Sequence, residues 1–303
     1  MTKVLVSGGT GAIGRRLVPT LLDRGYDVRV LSRSRSGFDT FGWADDVEIA
    51  TGDVGDWVSL DAAMRGTDVA YYLVHGMDAS VRDLVDREEK LATVFRDVAE
   101  MQGLEQIITL GGLFPEEELA RLSPHMYARQ RSGAILRRGP VAGTELRAAI
   151  VISRESASFR LLQAAAKMPV VIAQPWMASR CQPIGIDDVI HYLVGVLGAP
   201  RAYGEVLEIG GPDVLTYHQM IRVYLEVTGG AWRPSIPTPA GPPELAAPFA
   251  AKLAGVDVEL ALPLLTSARR DAVVTDHRID EIVPHDPLHF EETIRRALAA
   301  DPT

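Results

Sequence analysis

The residues most able to do chemistry lie at the very start of the chain. Gly8-Gly9-Thr10-Gly11-Ala12-Ile13-Gly14 follows a short apolar run at 3–6 and leads into a segment of helical spacing. Glycines between a strand and a helix let the backbone turn tightly and approach a pyrophosphate, and the free amides of the helix start then face two negative charges. Gly9, Gly11 and Gly14 fit G-x-G-x-x-G, while Gly8, Gly11 and Gly14 fit G-x-x-G-x-x-G. The loop therefore predicts a dinucleotide site formed by Gly8, Thr10, Gly11, Ala12, Ile13 and Gly14. The end of the next strand selects the dinucleotide: a carboxylate there binds ribose hydroxyls, a cation accommodates a 2′-phosphate. Here it reads Ser32-Arg33-Ser34-Arg35, with no carboxylate before Asp39. Arg33, flanked by Ser32 and Ser34, points to NADP rather than NAD. Asp53 and Val54 follow the third apolar run, where an Asp carboxylate can meet the adenine amino group.

The elements needed to position these residues alternate regularly. Strands are expected at 3–6, 27–31, 47–50, 69–74 and 106–110, with helices at 12–24, 57–64 and 81–100 between them. Pro19 should bend the first helix. This rhythm gives right-handed βαβ crossovers and a parallel sheet. Further on, the spacing predicts helices at 124–138 and 186–197 and strands at 145–152 and 206–209. Thr216 with Gln219 forms a capping-box pattern opening another helix. The segment 233–243 carries five prolines and reads as a loop, followed by apolar helical stretches at 245–265 and 290–298. The fold class is α/β: a Rossmann-type doubly wound parallel sheet with a smaller, mostly helical C-terminal substrate region. The expected division is a core at 1–150, completed by about 182–212, and a substrate region at 151–181 and 213–303.

With these motifs in place, the chain resembles the extended and atypical short-chain dehydrogenase/reductases, and more narrowly the NmrA-like NAD(P)-binding group. The resembling stretches are Ser7–Gly14, Gly52-Asp53-Val54, Tyr71-Tyr72-Leu73-Val74-His75, Thr109-Leu110-Gly111-Gly112, the Gln182–Val189 segment and Glu208-Ile209-Gly210-Gly211-Pro212. The resemblance implies that Leu73 and Val74 also border the cofactor. It also implies a Tyr-x-x-x-Lys pair on one helix, and there the chain departs: its four lysines are Lys3, Lys90, Lys167 and Lys252. Two substitutes have the spacing, Tyr127 with Arg131 and His125 with Arg129. Two residues apart on a helix, they point about 200° apart, so only one pair can face the nicotinamide. Counting back from Leu136 favours His125 and Arg129. Chemistry favours Tyr127, a phenol that the Arg131 cation could acidify, and Tyr127 with Arg131 is the expected catalytic pair.

Bulk composition narrows the partners. The 303 residues are 47% hydrophobic and 23% charged, ordinary for a globular chain. Forty acidic against 31 basic residues, a net charge of −9, disfavour nucleic acid, and no apolar stretch is long enough to span a membrane. A lone Cys181 excludes an intrachain disulfide and fits a cytoplasmic protein, monomeric or weakly dimeric. The seven scattered histidines, with Pro287 between His285 and His289, predict no metal site. Trp176, Arg180 and Cys181 are candidates to line a substrate cleft. The expected function is an NADP-dependent oxidoreductase acting on a small apolar carbonyl, alcohol or enone. The alternatives are a non-catalytic NADP sensor of NmrA-like type and an isomerase or epimerase retaining its cofactor.

Overall fold

A computed structural model describes residues 1–74, 84–114 and 122–300. The first half alternates β1 (Lys3–Ser7), α1 (Gly14–Asp23), β2 (Asp27–Ser32), β3 (Glu48–Thr51), α2 (Trp57–Met64), β4 (Val69–Tyr72), α3 (Leu84–Gln102), β5 (Gln106–Gly112), α4 (Pro124–Leu136) and β6 (Ala142–Ala148). The second half contains β7 (Val151–Ile152), α5 (Ala157–Lys167), β8 (Val171–Ala173), β9 (Arg180–Cys181), β10 (Ile184–Gly185), α6 (Ile186–Gly195), β11 (Val206–Ile209), β12 (Leu215–Thr216) and α7 (Tyr217–Val227). The chain ends with β13 (Ser235–Pro237), α8 (Pro243–Ala254), α9 (Val258–Ser267), α10 (Arg278–Ile282) and α11 (Phe290–Ala299).

Seven strands form one sheet in the order β11-β6-β5-β4-β1-β2-β3, every pair parallel. Successive strand side chains point to opposite faces. In β1, Val4 and Val6 therefore pack with Val18 and Leu21 of α1 and Val189 and Leu193 of α6, while Leu5 packs with Leu60 of α2 and Phe95 of α3. β4 divides in the same way: Tyr71 faces α6 and donates to the Leu193 carbonyl at 2.9 Å, and Tyr72 lies edge-on to Phe95. Both faces are covered, which is why these strands read as near-continuous apolar runs. A third core joins α5, α7 and α11 through Phe159, Ile221, Tyr224 and Ile294.

Several sequence expectations need correcting at their boundaries. The strand expected over 145–152 is β6 followed, after a break, by the two-residue β7, which pairs with β10. The proline-rich stretch is not wholly loop, since Ser235–Pro237 pairs in parallel with β8. The apolar stretch at 245–265 is two helices, because Gly255 adopts a left-handed conformation (φ 62°) and caps α8. The helix at 157–167 went unread. Its start is fixed by Ser156, whose Oγ accepts from the Phe159 amide. His75 and residues 81–83 of the expected third helix lie outside the described residues.

Candidate active site

Parallel strands bring their carboxyl ends to one edge, and the ligand crevice of such a sheet lies where the strand order reverses. Here that point is between β1 and β4, with β2 and β3 on one side and β5 and β6 on the other. The loop 8–13 leaves β1 at this edge. Gly8 has φ +82°, and a Cβ there would meet the Leu73 carbonyl oxygen at 2.7 Å. A Cβ on Gly14 would sit 2.3 Å from the Gly8 oxygen, so α1 starts against the loop itself. The Gly11 amide bonds back to the Gly8 carbonyl at 3.0 Å. At the start of α1 the Arg15 amide donates to the Gly11 carbonyl and the Arg16 and Leu17 amides donate to the Ile13 carbonyl, so the positive end of the helix dipole faces the loop. This backbone cradle, closed to any Cβ at two glycines, fits a dinucleotide pyrophosphate.

The other expected cofactor residues gather along the same edge. Ser32, at the end of β2, accepts from the Ser34 amide and donates to the Ser34 carbonyl, folding the turn that carries exposed Arg33. Arg15 is nearby, donating to the Thr10 carbonyl at 3.1 Å and lying 5.5 Å from the Phe41 ring centre. Asp53 caps its own turn, with Oδ1 accepting from the Gly55 amide at 2.8 Å, and Val54 is buried beside it. Leu73 and Val74 follow β4, and the Leu73 amide donates to the Ser7 carbonyl.

A cleft of about 1690 Å³ opens from Ala12 and Ile13 past Gly111 and Gly112 toward α5, α8 and α9. α4 forms one wall. Ser123 caps this helix by accepting from the Met126 amide, and its Oγ lies 3.2 Å from Ser267 Oγ at the end of α9. The helix register turns the two candidate pairs to different faces. His125 and Arg129 line the cleft. Tyr127 is 40% exposed on another face of the helix, and Arg131 donates to Glu89 of α3 at 2.6 Å. Tyr127 and Arg131, the expected pair, therefore do not line the cleft. Ala128 and Ser132 are buried, with Ser132 against Glu88 of α3, and this turns the pair outward.

Burial pushes the His125 imidazole down to about 4, and the Arg129 cation adds to the effect. Arg129 donates to the Leu110 carbonyl at 2.8 Å, while its buried Nε has no hydrogen-bond partner among the described residues. Desolvation lowers its guanidinium to about 10, opposed by the charge of Glu88, so it stays protonated at neutral pH. Arg129 therefore keeps a fixed positive charge on the cleft wall.

Sequence reading missed Arg147, whose guanidinium lies 4.6 Å from the Phe114 ring centre on the cleft wall and whose Nε donates to buried Glu145 at 3.0 Å. Arg137 bonds the other oxygen of the same carboxylate. Alternation within β6 could have flagged Glu145 and Arg147, but not Arg137 at the end of α4. Trp176, Arg180 and Cys181 do line the cleft. Cys181 is a buried free thiol that desolvation pushes up to about 12, which makes it a packing group and not a nucleophile at neutral pH. Among the described residues no cluster could hold a metal ion, and no helix is long and apolar enough to cross a membrane.

Comparison with known proteins agrees with this geometry. Residues 8–156 match the family described as NAD(P)H-binding. Ceramide reductase of Caulobacter vibrioides is 29% identical over 203 residues, 65% of this chain. The matched stretches span 61% of that relative's length and 24% of another curated relative's. Among solved structures, Citrobacter sp. triphenylmethane reductase complexed with NADP(H) superposes with a TM-score of 0.74 at 17% identity, covering 97% of this chain and 99% of that one. UDP-glucose 4-epimerase of Thermotoga maritima gives 0.73 at 17% identity, covering 98% and 97%. A short-chain dehydrogenase/reductase superfamily protein from Agrobacterium tumefaciens shares the fold, with a TM-score of 0.70 at 15% identity, covering 97% of this chain and 95% of that one. Two of the curated relatives carry reductase names, and the solved structures show a shared fold.

Proposed function

We propose that this protein is an NADP-preferring reductase whose working pair is His125 and Arg129, with a carbonyl or enone as hydride acceptor. The observation that carries the reading is the shared wall: both side chains line the cleft that begins at Ala12 and Ile13 of the glycine loop. Bound nicotinamide would supply or take the hydride. Arg129 presents a fixed positive charge to the oxygen on which negative charge develops, and the Leu110 carbonyl holds it there. His125 is neutral at pH 7, so it acts as a hydrogen-bonding imidazole polarising the same oxygen and not as an imidazolium acid. Water entering the open cleft completes the reduction with a proton. For NADP over NAD, the support is Arg33 at the end of β2, with Arg15 close to the loop, together with the NADP(H) bound by the Citrobacter reductase.

Single-turnover oxidation of bound NADPH by a carbonyl and enone panel tests the reading. Arg129→Met should lower the rate about 10²–10³-fold, the usual loss for removing a donor to a developing oxyanion. Tyr127→Phe and Arg131→Met, on the outer face, should leave it unchanged. Full activity in Arg129→Met, or loss confined to Tyr127→Phe, overturns the assignment. Tight NADPH binding without turnover of any acceptor favours a sensor.

A further inference from the structure

The cleft extends well beyond the end where a dinucleotide would lie. Its volume is about 1690 Å³ including the part beside Ala12 and Ile13, against roughly 300–1,000 Å³ for an ordinary small-ligand site. Beside Gly112 its wall carries Ser123, His125 and Arg129. Leu162 and Ala165 on α5, Ala250 on α8 and Leu264 on α9 form an aliphatic stretch, while Arg180, Arg269 and Asp271 also line the cleft. The alanines on the facing helices α5 and α8 leave room between them. Met168, Met177 and Met220 also border this space, and unbranched thioethers conform to a flexible occupant better than to a rigid one.

The outer rim carries the pattern into solvent. Phe249 is 60% and Leu253 46% exposed, and both line the cleft. Leu245, 78% exposed, precedes them on the same face of α8 at a spacing of four. An apolar rim continuous with an apolar chamber is what a ligand needs when it enters tail-first or leaves its tail at the mouth.

We propose that the cleft takes a substrate with a long, unbranched aliphatic chain. Its reacting carbon lies at His125 and Arg129, and its chain runs between α5, α8 and α9 to Phe249. This rests on the reductase reading only for the identity of the reacting end.

The test is displacement of a fluorescent probe, dansyl-undecanoic acid, from NADPH-loaded protein by butanol, octanol and dodecanol, so that binding is read without turnover. Affinity should rise with each lengthening, by up to about fourfold per methylene, through dodecanol. Ala250→Phe should abolish the gain beyond octanol and leave butanol unchanged. Melting temperature and NADPH affinity check that the variant is folded, and Ala165→Leu replaces it if it is not. Failure of the probe to bind, a plateau at butanol, insensitivity to both substitutions, or stronger displacement by a rigid sterol than by dodecanol each overturns the proposal. Length-dependent binding without oxidation of NADPH by dodecanal sustains the aliphatic site and removes the reductase reading instead.

Discussion

His125 gives a prediction whose size follows from its surroundings. In the unfolded chain its imidazole titrates near 6.5; in the folded protein, burial and the Arg129 charge hold it at about 4. Between these values the unfolded state binds a proton that the folded state refuses, so stability is lost as pH falls from about 6.5 to about 4 and is fully present above that window. A separation of this size corresponds to about 3 kcal/mol at 1.36 kcal/mol per unit. That figure is a ceiling, because local loosening of the first turn of α4 would let water reach the ring before the whole protein unfolds. Glutamine has similar volume and does not titrate, so His125→Gln should remove this component. Urea denaturation of both proteins at intervals from pH 8 to pH 4, whose difference cancels the other titrating groups, should show the wild type losing about 2–3 kcal/mol more than the variant. Parallel curves would refute both the buried-neutral state of His125 and the neutral-imidazole role drawn from it.

Four further outcomes are expected. Gly14→Ala should destroy dinucleotide binding and loosen the loop, since its Cβ would strike the Gly8 oxygen at 2.3 Å and the Gly9 Cα at 2.5 Å. Gly11→Val should abolish binding while the protein stays folded, because only the Gly8 oxygen, at 3.3 Å, is near; melting curves and cofactor titration separate the two. Arg33→Ala should weaken NADP by about 1–3 kcal/mol in calorimetry and NAD far less; equal losses would remove Arg33 from the phosphate site. Glu145→Ala should cost about 3–5 kcal/mol of stability in denaturant melts, because it removes the buried carboxylate that Arg147 and Arg137 share, whereas a loss under about 1 kcal/mol would mean water replaces the carboxylate.

Local rules reached much of this fold. The glycine loop, the limits of α2 and β11, and the Thr216–Gln219 capping box depend on a few neighbouring residues, and each is found where those residues put it. α5 was harder: Ala157 and Ala164–Ala166 contribute little apolar contrast, and its buried face is defined by α7 and α8, which come later in the chain. The break between α8 and α9 turns on one left-handed glycine inside an otherwise apolar run. At the site, spacing identified both candidate pairs, yet the choice depended on rotation. Glu88 and Glu89 of α3 engage Ser132 and Arg131, and those long-range contacts turn His125 and Arg129 toward the cleft. The intrinsic acidity of a phenol carries no information about which way a helix is turned.

The position of β11 bears on how this chain must be made and cut. β6 is flanked by β5 on one side and by β11 on the other, and β11 lies at 206–209, after a long excursion through α5 and α6. Until those residues have left the ribosome, β6 presents a bare row of amides and carbonyls to other nascent chains. A fragment ended at β6 would keep that open edge permanently, and would also lack α6, which supplies Tyr192 and Leu193 to cover one sheet face. Expressed alone, the glycine-loop half should therefore collect in aggregates, whereas a chain carried past Ile209 would pair β6 and move the edge to the short β11, which Arg278 bonds at the Val206 carbonyl.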